Sequence, residues 1–200
     1  MAIRQPYKMA AGNPYAGVIS ILNRYWTIYG GIRALITSPY AHFALLLSIL
    51  TGDFWLHHEW WDQPIIVLPN LLGFTLGGFA VFVSFGDEKF KALIAGNDPN
   101  GNGRNSPYLN ISVTLLHFVL FQLIALVWAV VTNALHFDAP AWLDCCSHVF
   151  LRLEPIGNGI GYWLFLYSIC TAVAAALNIF RLTFIFDAFV TRSKQDNKDQ

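Results

Sequence analysis

"IIVLPNLLGFTLGGFAVFVSFGDEKF", Ile65 to Phe90, stays apolar for the roughly 20 residues that a helix needs to cross a hydrocarbon core of about 30 Å. Its first charge is Asp87. Yet the stretch holds Pro69, Asn70, Gly73, Gly77 and Gly78, residue types that weaken helices in water. A bilayer accepts them where a helix packs closely on a neighbour or lines a space, because other groups then satisfy the backbone. The stretch therefore predicts a spanning helix over 65–85 with one functionally distinct face.

Composition agrees. Of 200 residues, 56% are hydrophobic and 12% charged, about half the charge of an ordinary soluble domain. Three further apolar runs predict spans at about 40–56, 111–135 and 160–186, so the expected class is an all-α polytopic membrane protein with four transmembrane helices. The first span is short and broken by Gly52 and Asp53. The last has no Pro or Gly after Gly161 and runs on long enough to project beyond the bilayer. Three regions follow: an N-terminal cytoplasmic or interfacial part (1–38), the transmembrane domain (39–190) and a polar tail (191–200).

With a formal net charge of +0, only the placement of charge informs. Arg4, Lys8, Arg24 and Arg33 precede the first span, Lys89, Lys91 and Arg104 lie between the second and third, and Arg181, Arg192, Lys194 and Lys198 mark the end. If both termini are cytoplasmic, eleven of the twelve basic residues fall on one side, leaving only Arg152 outside, as the positive-inside rule asks. The expected location is the bacterial inner membrane. No cleavable signal peptide is expected, since the first long apolar run begins near residue 40.

Before that run, Val18, Ile21, Leu22, Tyr25, Ile28, Tyr29, Ile32 and Ile36 recur at helical spacing. They predict an amphipathic helix, either lying in the inner interface or packed across the cytoplasmic ends of the spans.

On the second span Asn70, Gly73, Gly77 and Ser84 fall near one line, and Gly73 with Gly77 forms the small-xxx-small spacing that lets backbones touch. Two readings fit: close packing of helices, within a chain or between copies, or the wall of a pore on the symmetry axis of several copies. Four spans leave little room for a conduit inside one protomer. Other intramembrane polar groups, His117 and Gln122 in the third span and Asn178 and Arg181 in the fourth, need partners. Arg181 has two, the inner headgroups by snorkelling or an acid such as Asp187 or Glu88.

Outside the spans, His57, His58, Glu59 and Asp62 in one loop and His136, Asp138, Asp144, Cys145, Cys146 and His148 in the other have metal-binding chemistry. Their spacing contains no HExxH or CxxC pair, so neither a metal nor another cofactor is expected, and Trp55, Trp60, Trp61 and Trp142 read as interfacial anchors. Cys145 and Cys146 are left as free thiols or an intersubunit link. The Gly- and Asn-rich segment 96–107 reads as a solvated loop. No nucleophile sits with a base and no carboxylate pair lies in the spans, so catalysis is not expected.

The run from Pro69 to Phe90, together with the four-span plan, resembles small membrane proteins of bacterial anti-phage defence, the Hailong membrane effectors. That resemblance implies an oligomeric channel, held closed by a DNA oligomer from a partner nucleotidyltransferase and toxic when open. It transfers no ligand residues. Arg24, Arg33, Lys89, Lys91 and Arg104 from several copies would be the basic groups available to such a nucleotide ligand. The expected function is a regulated, homo-oligomeric pore; the alternatives are a non-conducting scaffold and a metal-dependent membrane enzyme.

Overall fold

A computed structural model describes residues 14–84, 90, 94–95, 106–136 and 147–196. Among them are seven helices and no strand: α1 (Pro14–Tyr29), α2 (Gly31–Ile36), α3 (Pro39–Leu50), α4 (Gly52–His57), α5 (Asp62–Ser84), α6 (Pro107–Leu135) and α7 (Ser147–Asp196). Three are long and apolar enough to cross a membrane: α5, α6 and the part of α7 from Glu154 to Arg192.

Local chemistry sets the helix starts. Pro39 and Pro107 occupy first-turn positions, where a missing N–H costs nothing, and the Ser106 hydroxyl accepts from Leu109 N at 3.2 Å. Asp62 places an acid in the first turn of α5. Gly30, at φ 103°, separates α1 from α2; this left-handed conformation suits glycine and splits the expected N-terminal helix in two.

The expected span at 40–56 is also two pieces. Thr51 turns its hydroxyl to Leu47 O at 2.7 Å, and its backbone leaves helical geometry before α4 begins at Gly52. At 12 residues α3 is about 18 Å long, short of the hydrocarbon core. By contrast α7 has 50 residues, about 75 Å, and begins well before the expected 160, running through Pro155, Gly157 and Gly159.

Antiparallel packing joins the long helices. Phe82 stacks on Tyr108 at 5.2 Å at one end of the α5–α6 pair, and Trp61 meets His136 at 4.6 Å at the other. Trp60, Trp61, Leu68, Ala125, Ala129, Tyr162 and Phe165 form the core at the tryptophan end. Phe82, Phe90, Leu115, Phe118, Ala174, Ala175 and Leu182 form the core at the other. Ala41 and Ala44 of α3 pack on Tyr167 and Cys170 of α7, and Trp55 of α4 lies over Gly159, so α3 and α4 lie one after the other along α7 despite their break.

Two of the tryptophans expected at the interface are instead inside the protein. Trp60 is fully buried and donates to Asn158 Oδ1 at 3.0 Å, and Trp61 is buried beside it. Trp55 is half-buried and donates to Ser48 O at 2.8 Å. Trp142 lies outside the described residues.

Candidate functional site

Two polar features interrupt the apolar bundle, one turned outward and one buried. The outward one is the line on α5. At about 100° per residue, Asn70, Gly73, Gly77 and Ser84 share an arc of about 60°. The residues that α5 buries, Leu68, Leu72, Thr75 and Phe82, lie on the opposite side. All four members of the line are exposed in the protomer, and a Cβ added at Gly73 or Gly77 would meet nothing within 4 Å. Among the described residues, Gly73 and Gly77 therefore have no packing partner in their own chain at these positions. Gly78, which is not on that line, is the glycine of α5 that faces a described neighbour in its own chain, its added Cβ standing 3.1 Å from Ile179.

Pro69 lacks the N–H that would reach the Ile65 carbonyl. Asn70 Nδ2 donates to the neighbouring carbonyl, Ile66 O, at 3.3 Å, which leaves its own carbonyl oxygen on the outward face.

The buried feature centres on His117, which has no exposed surface. Tyr25 Oη lies 2.6 Å from its Nδ1 and Tyr167 Oη lies 2.8 Å from its Nε2, so both ring nitrogens are engaged. Tyr29 stacks face to face on the imidazole at 3.8 Å and 9°, and Phe121 covers it at 4.4 Å. Tyr29 and Ser38 bring their hydroxyls beside that of Tyr167. Burial, together with the neighbouring Tyr29, pushes the Tyr25 phenol above its ordinary range, and burial does the same to Tyr29, so both act as neutral hydroxyls.

About one turn along α6, Gln122 is also fully buried. Its Nε2 donates to Thr75 Oγ1 at 3.1 Å, whereas Oε1 has no partner among the described residues. Thr75 in turn donates to Leu71 O at 2.8 Å, so its hydrogen is already committed. Ser168 and Thr171 bond backbone carbonyls, Ser168 to Leu164 O at 2.8 Å and Thr171 to Ser168 O at 2.9 Å.

The remaining sequence candidates do not converge. Asn178 donates to Ala174 O on its own helix, and Arg181 is exposed and makes no ion pair with Asp187. Arg24 and Arg33 are exposed on α1 and α2; Lys89, Lys91, Arg104, Glu88, Cys145 and Cys146 lie outside the described residues. His57, His58, Glu59 and Asp62 are all exposed, with His57 paired to Asp53 at 3.2 Å and His58 stacked on Phe54 at 5.4 Å. Among the described residues no three His, Cys, Asp or Glu side chains come together as a metal site.

Sequence reasoning singled out His117 but not its cage. Tyr25 and Tyr29 fall within the apolar stripe of the N-terminal segment, yet their i, i+4 spacing puts two phenols on one face. The usable signal was that an intramembrane histidine requires partners. Comparison with protein-family models, curated proteins and solved structures finds no match. Length and composition of the helices define the class, an all-α membrane protein with at least three segments able to span a bilayer.

Proposed function

We propose that this protein is a regulated, homo-oligomeric ion-conducting pore of the bacterial inner membrane, with α5 nearest the symmetry axis. The observation that carries this reading is the line Asn70, Gly73, Gly77 and Ser84, exposed and directed away from the face that α5 packs on its own chain. A polar amide and a row of small residues facing lipid would gain nothing; facing other copies they allow close approach and leave carbonyl and amide dipoles along an axis.

In this reading α3 and α4 together make the first crossing as an interrupted helix along α7. Four crossings then place both termini in the cytoplasm, in line with the distribution of basic residues. Arg24 and Arg33 face the same compartment and are available to an anionic cytoplasmic ligand, such as a nucleotide or DNA oligomer, that sets the open fraction. The resemblance to effectors of anti-phage defence supports a toxic open state.

The test is membrane potential, followed with a voltage-sensitive dye in cells expressing wild type or Gly77→Leu at equal membrane levels. Wild type is expected to depolarise the cells and the variant to lose at least tenfold of that current, since a bulky side chain at Gly77 blocks approach at the axis. Equal currents with equal assembly would remove α5 from the axis. Cross-linked oligomers that never conduct, even with the ligand depleted, would favour a scaffold.

A further inference from the structure

Tyr25 is the one buried side chain among those described on α1. Val18, Ile21 and Leu22 are exposed, so the docking of α1 on the spanning helices concentrates on Tyr25 and Tyr29, and both act on His117. At the other end of this attachment stand Gly30 and Gly31, at φ 103° and 66°, directly after Tyr29. A clasp at one ring is thus followed at once by a two-glycine turn in the left-handed region, which other residues rarely adopt.

The hydrogen-bond roles in the clasp depend on one proton. A neutral imidazole has one donor and one acceptor. With Tyr25 at Nδ1 and Tyr167 at Nε2, one phenol donates to the ring and the other accepts from it. An imidazolium donates at both nitrogens, so both phenols become acceptors: a Tyr167 hydrogen turned off the ring can still reach Tyr29 or Ser38, whereas a Tyr25 hydrogen that had bonded Nδ1 loses its partner inside the core.

Among the described residues the new charge also has no counter-ion. The ionisable groups facing the ring are the phenols of Tyr25 and Tyr29 from α1 and Tyr167 from α7, with the Cys170 thiol beyond Tyr167. From α6 the neighbours are Phe118 and Phe121, and the joint before α3 contributes the Ser38 hydroxyl beside Tyr167. Arg24 and Arg33, the charged residues of α1 and α2, are exposed and carry the wrong sign. The Tyr29 face returns part of the cost through cation–π attraction, but an unpaired buried charge costs more than one such contact recovers.

We propose that the His117 cage is a proton-sensitive latch: α1 docks on the spanning bundle through Tyr25 and Tyr29 while His117 is neutral, and proton uptake by His117 releases α1 about Gly30 and Gly31. Released, α1 carries Val18, Ile21 and Leu22 into the adjacent lipid interface. The latch does not depend on conduction.

The test is hydrogen exchange on the full chain in phosphatidylethanolamine–phosphatidylglycerol nanodiscs, with rates corrected for their intrinsic pH dependence and α5 as the internal reference. Between about pH 8 and about pH 5, either side of the solvated imidazole range near 6.5, α1 protection is expected to fall at least tenfold while α5 holds. One coupled proton limits the slope to about tenfold per pH unit. In His117→Gln the protection of α1 should no longer vary with pH. If that variant loses α5 protection and so has not folded, Tyr25→Phe decides: removing the Nδ1 partner should move the release of α1 to higher pH. A flat wild-type profile, an unchanged profile in a folded His117→Gln, or no shift in Tyr25→Phe would overturn the latch.

Discussion

Gly77 in α5 and Gly161 in α7 both interrupt long apolar helices, and the space beside each is used differently. At Gly161 a Cβ would collide with the rings of Trp60 and Trp128, the latter at 2.6 Å. At Gly77 an added Cβ would meet none of the other described side chains of the same chain within 4 Å. One absence of a side chain is filled by tryptophan and the other is turned outward. A glycine in a spanning helix is thus a slot, and its meaning depends on what enters it.

The largest effect expected from this contrast is at Gly161. Gly161→Ala forces aside the fully buried Trp60 ring and the more exposed Trp128 ring, and overpacking of that kind costs about 3 kcal/mol. Denaturant titration in mild detergent should show that loss, whereas Gly157→Ala, where a Cβ meets none of the described residues within 4 Å, should lose nothing and gain up to about 1 kcal/mol. Equal stability of the two variants would mean that the tryptophans do not occupy the slot.

The slot is held open from the other side by hydrogen bonds. Trp60 donates to Asn158 Oδ1 at 3.0 Å and Trp128 donates to Gly157 O at 3.2 Å, so the glycine-containing turn that admits the rings also anchors them. Asn158→Leu removes the acceptor and leaves a buried indole N–H unpaired, for an expected loss of about 2 kcal/mol in the same titration. A loss well under 1 kcal/mol would show that ring packing alone positions Trp60.

The same contrast explains what could be read from the sequence. The apolar runs gave α5 and α6 closely, 65–85 against Asp62–Ser84 and 111–135 against Pro107–Leu135. The start of α7 was missed because Pro155, Gly157, Gly159 and Gly161 have poor helix propensity, and tertiary packing against Trp55, Trp60 and Trp128 overrides it. The exposed line on α5 was legible from 3.6-residue periodicity, but its direction relative to the bundle was not. His117 was legible as an intramembrane polar group needing partners. Its partners were not, because Tyr25 and Tyr167 lie 92 and 50 residues away in sequence and only the fold brings them together.

The smallest effect, and the one that most sharpens the contrast, is expected at Gly77 with a single added methyl. Within one protomer Gly77→Ala meets none of the described neighbours, and alanine is preferred over glycine inside a helix by up to about 1 kcal/mol. The dilute, detergent-separated protomer should therefore gain a few tenths of a kcal/mol to about 1 kcal/mol. If copies approach through this face, the same methyl holds their backbones apart, and self-association in lipid, measured by energy transfer between labelled chains, should weaken. Opposite signs in the two measurements are what an outward slot filled by another copy requires. Gains in both would mean that the line Asn70, Gly73, Gly77 and Ser84 meets only lipid, and the axis of any pore would then have to be sought on a different helix.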